Sequence, residues 1–233
     1  MSASIIISYD GTNNEDDAVA LGRLFANAGA DVSLAYVRHA AEAETSREIL
    51  AQHEAETLLG RGAELLGDSD ARRYVITDRS TPEGLSMLAK QIEADAIVFC
   101  SDSHTAKGHI AIGNSAQRLL NGGSTAVAIA PAGYAQSGAA QVRKIGVVGD
   151  GSAQTTGASL ARSLGAEPAA SGEHPEGHKQ NVGLLVVGSR PDAQEGTVSL
   201  SAASENLIEI ATAPVLVVPH GKAIAFDGAP VTA

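Results

Sequence analysis

The first half of this 233-residue chain alternates short apolar runs with segments of helical periodicity. Short buried strands that alternate with helices pair side by side in parallel and are joined by right-handed crossovers. The pattern therefore predicts an α/β fold built on an open, parallel, five-stranded sheet that is flanked by helices. The predicted strands lie at residues 5–7, 32–37, 74–76, 96–100 and 126–130.

The composition agrees with this fold and excludes several classes of partner. Apolar residues make up 44% of the chain and aromatic residues only 3%, so Val, Ile, Leu and Ala must fill the core, as in strands buried on both faces. A net charge of −11 argues against nucleic acid and anionic membranes, because clusters of Lys and Arg bind both. The N-terminus lacks the pattern of a signal peptide and no apolar run is long enough for a membrane span, so we expect a cytoplasmic protein.

The pattern of the first half restarts near residue 143. Residues 145–151 repeat residues 5–11 at an offset of 140, whereas later matches, such as Gly108 with Gly196, keep an offset of 88. The second half therefore lacks 140 − 88 = 52 residues between its first strand and its glycine loop. We predict a tandem duplication whose second copy is truncated. Its parts are a complete domain at 1–134, a linker at 135–142, a reduced domain at 143–221 and a tail at 222–233.

The stretch 97–115 indicates a binding site. An apolar run ends at Cys100, a small polar loop follows, and a helix begins after Gly113. A strand that leads through small residues into a helix presents unpaired backbone amides to an anion. The helix after the first strand differs, because Asn13 or Asn14 is expected to cap it and its first turn is acidic. Those acids would repel a phosphate at that end of the helix.

The motifs in the first half resemble those of the universal stress protein family. The first strand ends in Asp-Gly, and the segment between the fourth strand and the fourth helix follows the family spacing G-x2-G-x9-G-[ST]. The sequence GNSAQRLLNGGSTAVAIAPAGY at 113–134 is especially similar to the usual ending of the family domain. This resemblance covers nearly all of the first half and the two ends of the second. It implies the strand order 3-2-1-4-5 and an internal pseudo-dimer, or a homodimer, that pairs through the fifth strands at Ala126–Ala130 and Val215–Val218.

The resemblance also implies a site for ATP or AMP, with no metal beyond nucleotide-bound Mg²⁺. The family aspartate falls on Asp10, and the residue that meets the adenine edge falls on Val37. The glycine-rich segment would wrap the ribose and the phosphates. The predicted binding residues are Ser8, Tyr9, Asp10, Val37, Cys100, Ser103, Gly113, Asn114 and Ser115.

Two of the three motif glycines are replaced, which leaves two functions open. Cys100 and Ser103 add side chains where glycine would let the backbone approach a phosphate closely. The chain is thus either a nucleotide-responsive regulator of a stress response or a degenerate member that acts as a scaffold or interaction module. No nucleophile elbow, metal-ligand spacing or obvious base is present, so we expect no enzyme beyond slow ATP hydrolysis.

The second copy is expected to bind no nucleotide. Asp150 and Gly196 persist, but Pro191 and Ser201 replace two motif glycines. We also expect one short helix and a polar stretch in place of the missing elements, with no second strand. The tail after His220 has no periodicity and is expected to be a loose end.

Overall fold

The structure, a computed structural model, describes residues 2–12, 14–39, 45–137, 142–149, 151–169 and 182–227. Nine strands and six helices occur in these ranges, together with one 3₁₀ turn at Ala135–Ser137. In chain order the elements are β1 (Ser4–Ser8), α1 (Glu15–Asn27), β2 (Asp31–His39), α2 (Thr45–Leu66), β3 (Arg73–Asp78), α3 (Thr81–Gln91), β4 (Ala96–Cys100), α4 (Asn114–Leu120), β5 (Ala126–Ala130), β6 (Lys144–Val148), α5 (Gly151–Leu164), β7 (Glu167–Pro168), β8 (Leu184–Gly188), α6 (Ala202–Glu209) and β9 (Val215–Val218).

All nine strands form one sheet in the order β3-β2-β1-β4-β5-β9-β8-β6-β7. The first five strands are parallel and have the expected order 3-2-1-4-5. The sheet does not stop there, because β5 pairs antiparallel with β9, and Ala128 lies opposite Leu216. The α/β class is confirmed, and the strand count of the sheet is larger than the five we predicted for it.

The helices of the first half cover both faces of the sheet. Alternate residues of a strand point to opposite faces, so Ile5 and Ile7 pack with α1 and α2, whereas Ile6 packs with α3 and α4. All three side chains are fully buried. Burial on both faces is the reason that β1 is an unbroken apolar run in the sequence. No helix in the described ranges is long and apolar enough to cross a membrane.

The second half contains a short strand that we did not predict. The two residues of β7 pair in parallel with β6, with Lys144 opposite Glu167 and Ile145 opposite Pro168. The amides of Glu167 and Ala169 donate to the carbonyl oxygens of Arg143 and Ile145, so Pro168 stands at the position between them that needs no amide hydrogen. The polar stretch at 170–181, like Asn13 and Asp150, lies outside the described residues.

The tail is not a loose end over its described part. Ile224 and Phe226 are buried, and the Phe226 ring stacks on Phe25 of α1 at a centroid distance of 5.7 Å. The amide of Ile224 donates to Thr156 Oγ1, and the amide of Phe226 donates to Ser159 Oγ. Sequence periodicity missed this segment because an extended strap that is held by single contacts has no repeat.

The loops after β4 and β8 have matching hydrogen bonds. The hydroxyl of Ser101 donates to the carbonyl oxygen of Ala130 at 2.8 Å, and the hydroxyl of Ser189 donates to that of Val218 at 2.8 Å. The two pairs are separated by the sequence offset of 88, and several backbone hydrogen bonds of the two loops repeat at the same offset. The two loops therefore have the same local geometry.

Candidate functional site

The carboxyl ends of the parallel strands of the first half meet at one edge of the sheet. The chain leaves β1 toward β2 on one side, whereas β4 lies on the other side, so the strand order reverses between β1 and β4. Open α/β sheets bind ligands at such a point. We refer to this place as the strand-end crevice. The predicted residues divide between the crevice, the core on either side of it and the start of α4.

The residues that follow β1 point in different directions. Ser8 is half-buried, and Tyr9 is only 1% exposed and packs among α1 and α2. A Cβ added at Gly62 of α2 would lie 3.1 Å from the Tyr9 ring. Burial, followed by the charge of Asp16, raises the pKa of the Tyr9 phenol. Tyr9 is therefore a core residue and does not line the crevice.

The side-chain carboxyl group of Glu15 fills the turn after β1. Glu15 is 6% exposed, and its Oε2 accepts hydrogen bonds from the amides of Asp10 and, at 2.6 Å, Gly11. Burial, followed by the charge of Asp10, raises the pKa of Glu15 to about 9. The Asp10 side chain is exposed and accepts from the Thr12 amide, as in an ordinary Asx turn. The amides that an anion could use are thus already occupied.

Asn14 joins the two sides of the crevice. Its φ of 75° is left-handed, and it occupies the N-cap position of α1, one of the two residues we expected there, but its side chain makes no capping hydrogen bond. The Nδ2 amide instead donates to the carbonyl oxygen of Asp102 at 3.1 Å. The cap could not form because the side chain is directed across the crevice. This contact ties the β1–α1 turn to the loop after β4.

Cys100 and Ser103 do not form a phosphate cradle. Cys100 is half-buried, and burial, followed by the charge of Glu15, raises the pKa of its thiol to about 12. Ser103 is exposed, and its hydroxyl lies 3.2 Å from His104 Nδ1. His104 itself is exposed to solvent, so this pair has no enclosed site. Among the described residues, no group of three His, Cys, Asp or Glu side chains could hold a metal ion.

Val37 and Gly113 lie away from the turn after β1. Val37 is buried beneath α3, because a Cβ at Gly84 would lie 3.0 Å from Val37 Cγ1. Gly113 precedes α4 with a φ of −69°, and a Cβ there would meet no atom within 4 Å. A side chain is therefore tolerated at this last motif glycine. Asn114 and Ser115, which begin α4, are at least partly accessible.

A cavity of about 510 Å³ lies between the starts of α3 and α4, and we call it the basic cavity. Asn114 and Ser115 line it, but the other seven predicted residues do not. Arg79 and Arg118 also line it, and neither forms an ion pair with a described carboxylate. The full lining is His39, Arg79, Ser80, Thr81, Pro82, Asn114, Ser115, Gln117 and Arg118.

The lining of the basic cavity has the chemistry of an anion site. It contains two guanidinium groups and one imidazole, and none of its residues is acidic. Ser80 caps α3 through a bond from the Glu83 amide, so the cavity also faces the positive end of an eleven-residue helix. Arg79 and Arg118 belong to no motif in the sequence and were not predicted as binding residues. The available signal was the capping sequence Ser80 to Glu83, which marks where α3 begins.

The corresponding strand ends of the second half lie close together in the part of the chain that the structure describes. Gly149 follows β6 with a φ of 129°, and a Cβ there would lie 2.7 Å from the Cα of Gly188. Ser189 is buried and donates to Val218. The backbones of Gly149 and Gly188 therefore approach each other closely at the ends of β6 and β8.

Proteins of known structure that align over nearly the whole chain share this fold. The universal stress protein of Archaeoglobus fulgidus DSM 4304 has a TM-score of 0.67 at 15% identity, over 95% of this chain and 100% of that one. A functionally unknown protein from Pseudomonas aeruginosa PAO1 has a TM-score of 0.59 at 14% identity, over 94% and 92%. A universal stress protein of Archaeoglobus fulgidus in complex with dAMP gives a TM-score of 0.32 at 16% identity, over 42% and 80%. The comparison with curated proteins found no match.

The family follows from the sequence itself. The model of the universal stress protein family matches residues 1–131, which is 131 of the 233 residues. The match includes the strand-end crevice and the starts of α3 and α4. This chain belongs to the universal stress protein family.

Proposed function

We propose that this protein is a cytoplasmic regulator of a stress response that binds an AMP-type nucleotide with its phosphate in the basic cavity. The observation that carries the proposal is the pair Arg79 and Arg118, which line one cavity without a carboxylate in its lining. The volume of about 510 Å³ falls in the usual range of about 300–1,000 Å³ for small-ligand sites.

The contacts available to a phosphate support this placement. Guanidinium groups match the oxygens of a phosphate with paired hydrogen bonds. Ser115 adds a hydroxyl, and Asn114 adds an amide at the start of α4. These two residues belong to the phosphate segment that the family resemblance predicted. The ligand class agrees with dAMP, which the named protein of Archaeoglobus fulgidus binds.

The strand-end crevice favours a monophosphate over ATP. Glu15 already accepts from the amides of Asp10 and Gly11, so these donors are not available to further phosphates. The charges of Asp10 and Asp17 also act on Cys100 in this crevice. Additional phosphate groups placed there would meet acidic neighbours. We also propose that the protein has no catalytic turnover beyond slow ATP hydrolysis, since the basic cavity contains no carboxylate base.

We further propose that the chain is a tandem duplication that forms an internal pseudo-dimer through β5 and β9. Their antiparallel pairing supports this, because a two-fold axis relates strands in that way. The matching bonds of Ser101 and Ser189 give independent support. In this arrangement the ligand cavity lies in the first copy. The second copy contributes β9, which pairs with β5 and extends the sheet.

Calorimetric titration of the purified protein with AMP and with ATP tests the proposed function. We expect AMP to bind more tightly than ATP, and Arg79→Ala and Arg118→Ala each to weaken AMP about tenfold, as loss of a charged hydrogen bond of about 1.5 kcal/mol would. Arg72→Ala is the matched control. Arg72 forms an ion pair with Asp31 at the amino ends of β2 and β3, whereas the basic cavity lies at the carboxyl ends of the strands. Asp10→Ala should leave AMP binding unchanged. Equal loss in the Arg72 variant, or loss only in Asp10→Ala, would contradict the proposal.

A scaffold that binds no nucleotide is the second candidate. The bond from Asn14 to Asp102 favours it, because this contact ties the two sides of the strand-end crevice together. A scaffold should bind neither AMP nor ATP even at millimolar concentration, and Arg118→Ala should then change no titration. The same calorimetric experiment therefore separates the two candidates.

A further inference from the structure

His39 ends β2 and lines the basic cavity together with Arg79 and Arg118. Alternate residues of a strand share a face, and Val37, two residues earlier, packs under α3 and α4. The side chain of His39 is therefore on the same face of the sheet, but it is exposed where Val37 is buried. The end of β2 thus brings an imidazole to the cavity in which the proposed function places the phosphate.

The two ring nitrogens of His39 have different neighbours. Nδ1 lies 3.3 Å from the carbonyl oxygen of Arg79, and Nε2 lies 3.5 Å from Thr81 Oγ1. A carbonyl oxygen only accepts hydrogen bonds, so Nδ1 carries a hydrogen in this arrangement. Nε2 is then the nitrogen that gains or loses a proton. It is next to Thr81, which also lines the basic cavity, so a proton on Nε2 is available to a ligand there.

The charged groups near the basic cavity determine which charge can change with pH. Among the described residues they are Arg38, Asp78, Arg79, Glu83 and Arg118. Asp78 is opposite His39 in the register of β2 and β3, and its Oδ1 accepts from the Ser80 amide. Arg38 belongs to the other face of the sheet, and Glu83 is outside the lining of the cavity. Arginine stays charged near neutral pH, so His39 is the cation of this lining whose charge depends on pH there.

We propose that His39 is a third phosphate ligand in the basic cavity and that it binds in its protonated form, so that binding of an AMP-type nucleotide takes up a proton. This inference rests on the proposed function and adds a regulation of the same site by pH. A phosphate favours the protonated imidazole over the neutral one, because the charges attract and Nε2 then donates a charge-assisted hydrogen bond. By linkage, protonation of His39 favours the bound nucleotide to the same extent. Affinity therefore rises as the pH falls through the range in which histidine titrates.

Calorimetric titration of AMP in two buffers that differ in ionisation enthalpy measures the protons taken up on binding. The phosphate of AMP itself titrates near about pH 6, so the difference between the parent and His39→Gln isolates the histidine. At about pH 7 we expect the parent to take up on the order of half a proton more than this variant. His53→Gln is the matched control. His53 is exposed on α2, which covers the opposite face of the sheet, so this variant should match the parent.

The pH dependence of affinity is a second readout. His39→Gln should weaken AMP about threefold to fivefold at about pH 6 and less than about twofold at about pH 8, as expected for an ion pair of an exposed side chain. Inorganic sulfate is a dianion at both pH values and serves as a probe of constant charge. As a competitor of AMP, sulfate should bind the parent more tightly at the lower pH, and His39→Gln should remove this difference.

A second substitution separates phosphate binding from a purely structural role of His39. The side-chain amide of His39→Asn can still donate to the carbonyl oxygen of Arg79 in place of Nδ1, but nothing replaces Nε2. We expect it to weaken AMP at about pH 6 as His39→Gln does. If His39→Asn binds AMP like the parent, or if His39→Gln weakens AMP equally at both pH values, His39 only holds the backbone of Arg79 and the inference is overturned. Circular dichroism verifies that both variants keep the fold.

The outcomes distinguish this inference from the proposed function. If AMP binds and Arg118→Ala weakens it, but the parent and His39→Gln take up the same number of protons, only the inference is overturned. If His53→Gln lowers the proton uptake as much as His39→Gln does, the linkage does not arise in the basic cavity, and the inference is again overturned. If neither AMP nor sulfate binds, both proposals are wrong.

Discussion

The side-chain amide of Asn14 donates a hydrogen bond to the carbonyl oxygen of Asp102 at 3.1 Å, across the point where the strand order of the first half reverses. Asn14 directly precedes α1, and Asp102 lies in the loop between β4 and α4. In this fold a ligand crevice would lie between these two segments. The bond therefore holds the two sides of the crevice together.

Replacement of Asn14 should loosen the loop after β4. Asn14→Gly removes the bond and suits the φ of 75°, so we expect a change of less than about 1 kcal/mol in the free energy of unfolding. Asn14→Ala should cost about 1 kcal/mol more, because a Cβ disfavours the left-handed conformation. Hydrogen exchange of the Thr105 amide, which donates to Asp102, should accelerate in both variants. Unchanged exchange in both would show that the loop is held by other contacts.

Glu15 should make the stability of the protein fall as the pH rises. Its pKa is about 9 in the folded chain, against an ordinary value of 4.5, so between these limits the folded state keeps a proton that the unfolded state releases. Its contribution is complete below about pH 4.5 and is lost as the pH rises to about 9. The amides of Asp10 and Gly11 both donate to Oε2 of Glu15. In a Glu15→Gln variant the side-chain carbonyl oxygen can accept the same two hydrogen bonds.

Urea unfolding at about pH 5 and about pH 9 measures this effect. Glu15→Gln should be more stable than the parent at the higher pH by at least about 1 kcal/mol, the equivalent of one pKa unit, and its stability should depend less on pH. Asp16→Asn is the control, since Asp16 is next in sequence but exposed. An equal slope in Glu15→Gln and the parent would mean that Glu15 is ionised in the folded chain.

Cys100 should react slowly in the folded protein. Burial raises the pKa of its thiol from 9.0 to about 12, and the thiolate is the reactive form. Three pKa units reduce the thiolate fraction about a thousandfold at pH 8. A thiol–disulfide reagent should therefore modify the native protein at least about tenfold more slowly than the protein unfolded in guanidinium, since the greater nucleophilicity of a more basic thiolate offsets only part of the lost fraction. Comparable rates in the two states would contradict the burial of this thiol.

The strands of the first half could be predicted because burial on both faces leaves a strong signal in the sequence, whereas their order was implied by the family resemblance. The run Ile5 to Ile7 is apolar at every position, since each face of β1 packs on helices. The start of α4 at Asn114 could also be predicted, from the loop that precedes it and the family resemblance. These features depend on neighbours that are close in the sequence.

The remaining features depend on contacts between distant segments. Arg79 and Arg118 line one cavity although 39 positions separate them, and neither has a motif of its own. The carboxyl group of Glu15 could be predicted to lie in the first turn of α1. Its bonds to the amides of Asp10 and Gly11 could not, because they depend on how tightly the turn closes. Ile224 and Phe226 gave no periodic signal, so the tail was wrongly expected to be loose.

The contact between Phe226 and Phe25 should couple the two halves of the chain. Phe226 is 2% exposed and stacks on Phe25 of α1, while its carbonyl oxygen accepts from Ser159 and Ser163 of α5. Phe226→Ala keeps the backbone bonds but leaves a cavity between α1 and α5, so we expect a loss of about 3 kcal/mol in the free energy of unfolding. Urea unfolding measures this, with Leu65→Ala as an exposed control expected within about 0.5 kcal/mol of the parent.

Truncation after Gly221 separates the contribution of the Phe226 ring from that of the extended segment 222–227. It removes the ring together with the bonds that Ile224 and Phe226 make to Thr156 and Ser159, so it should destabilise the protein more than Phe226→Ala does. A loss that equals that of the point variant would assign the stabilisation to the ring alone. If both changes cost no more than Leu65→Ala, the tail does not hold the halves together. A loss confined to α5, measured by hydrogen exchange, would show that the strap stabilises the second half without coupling it to α1.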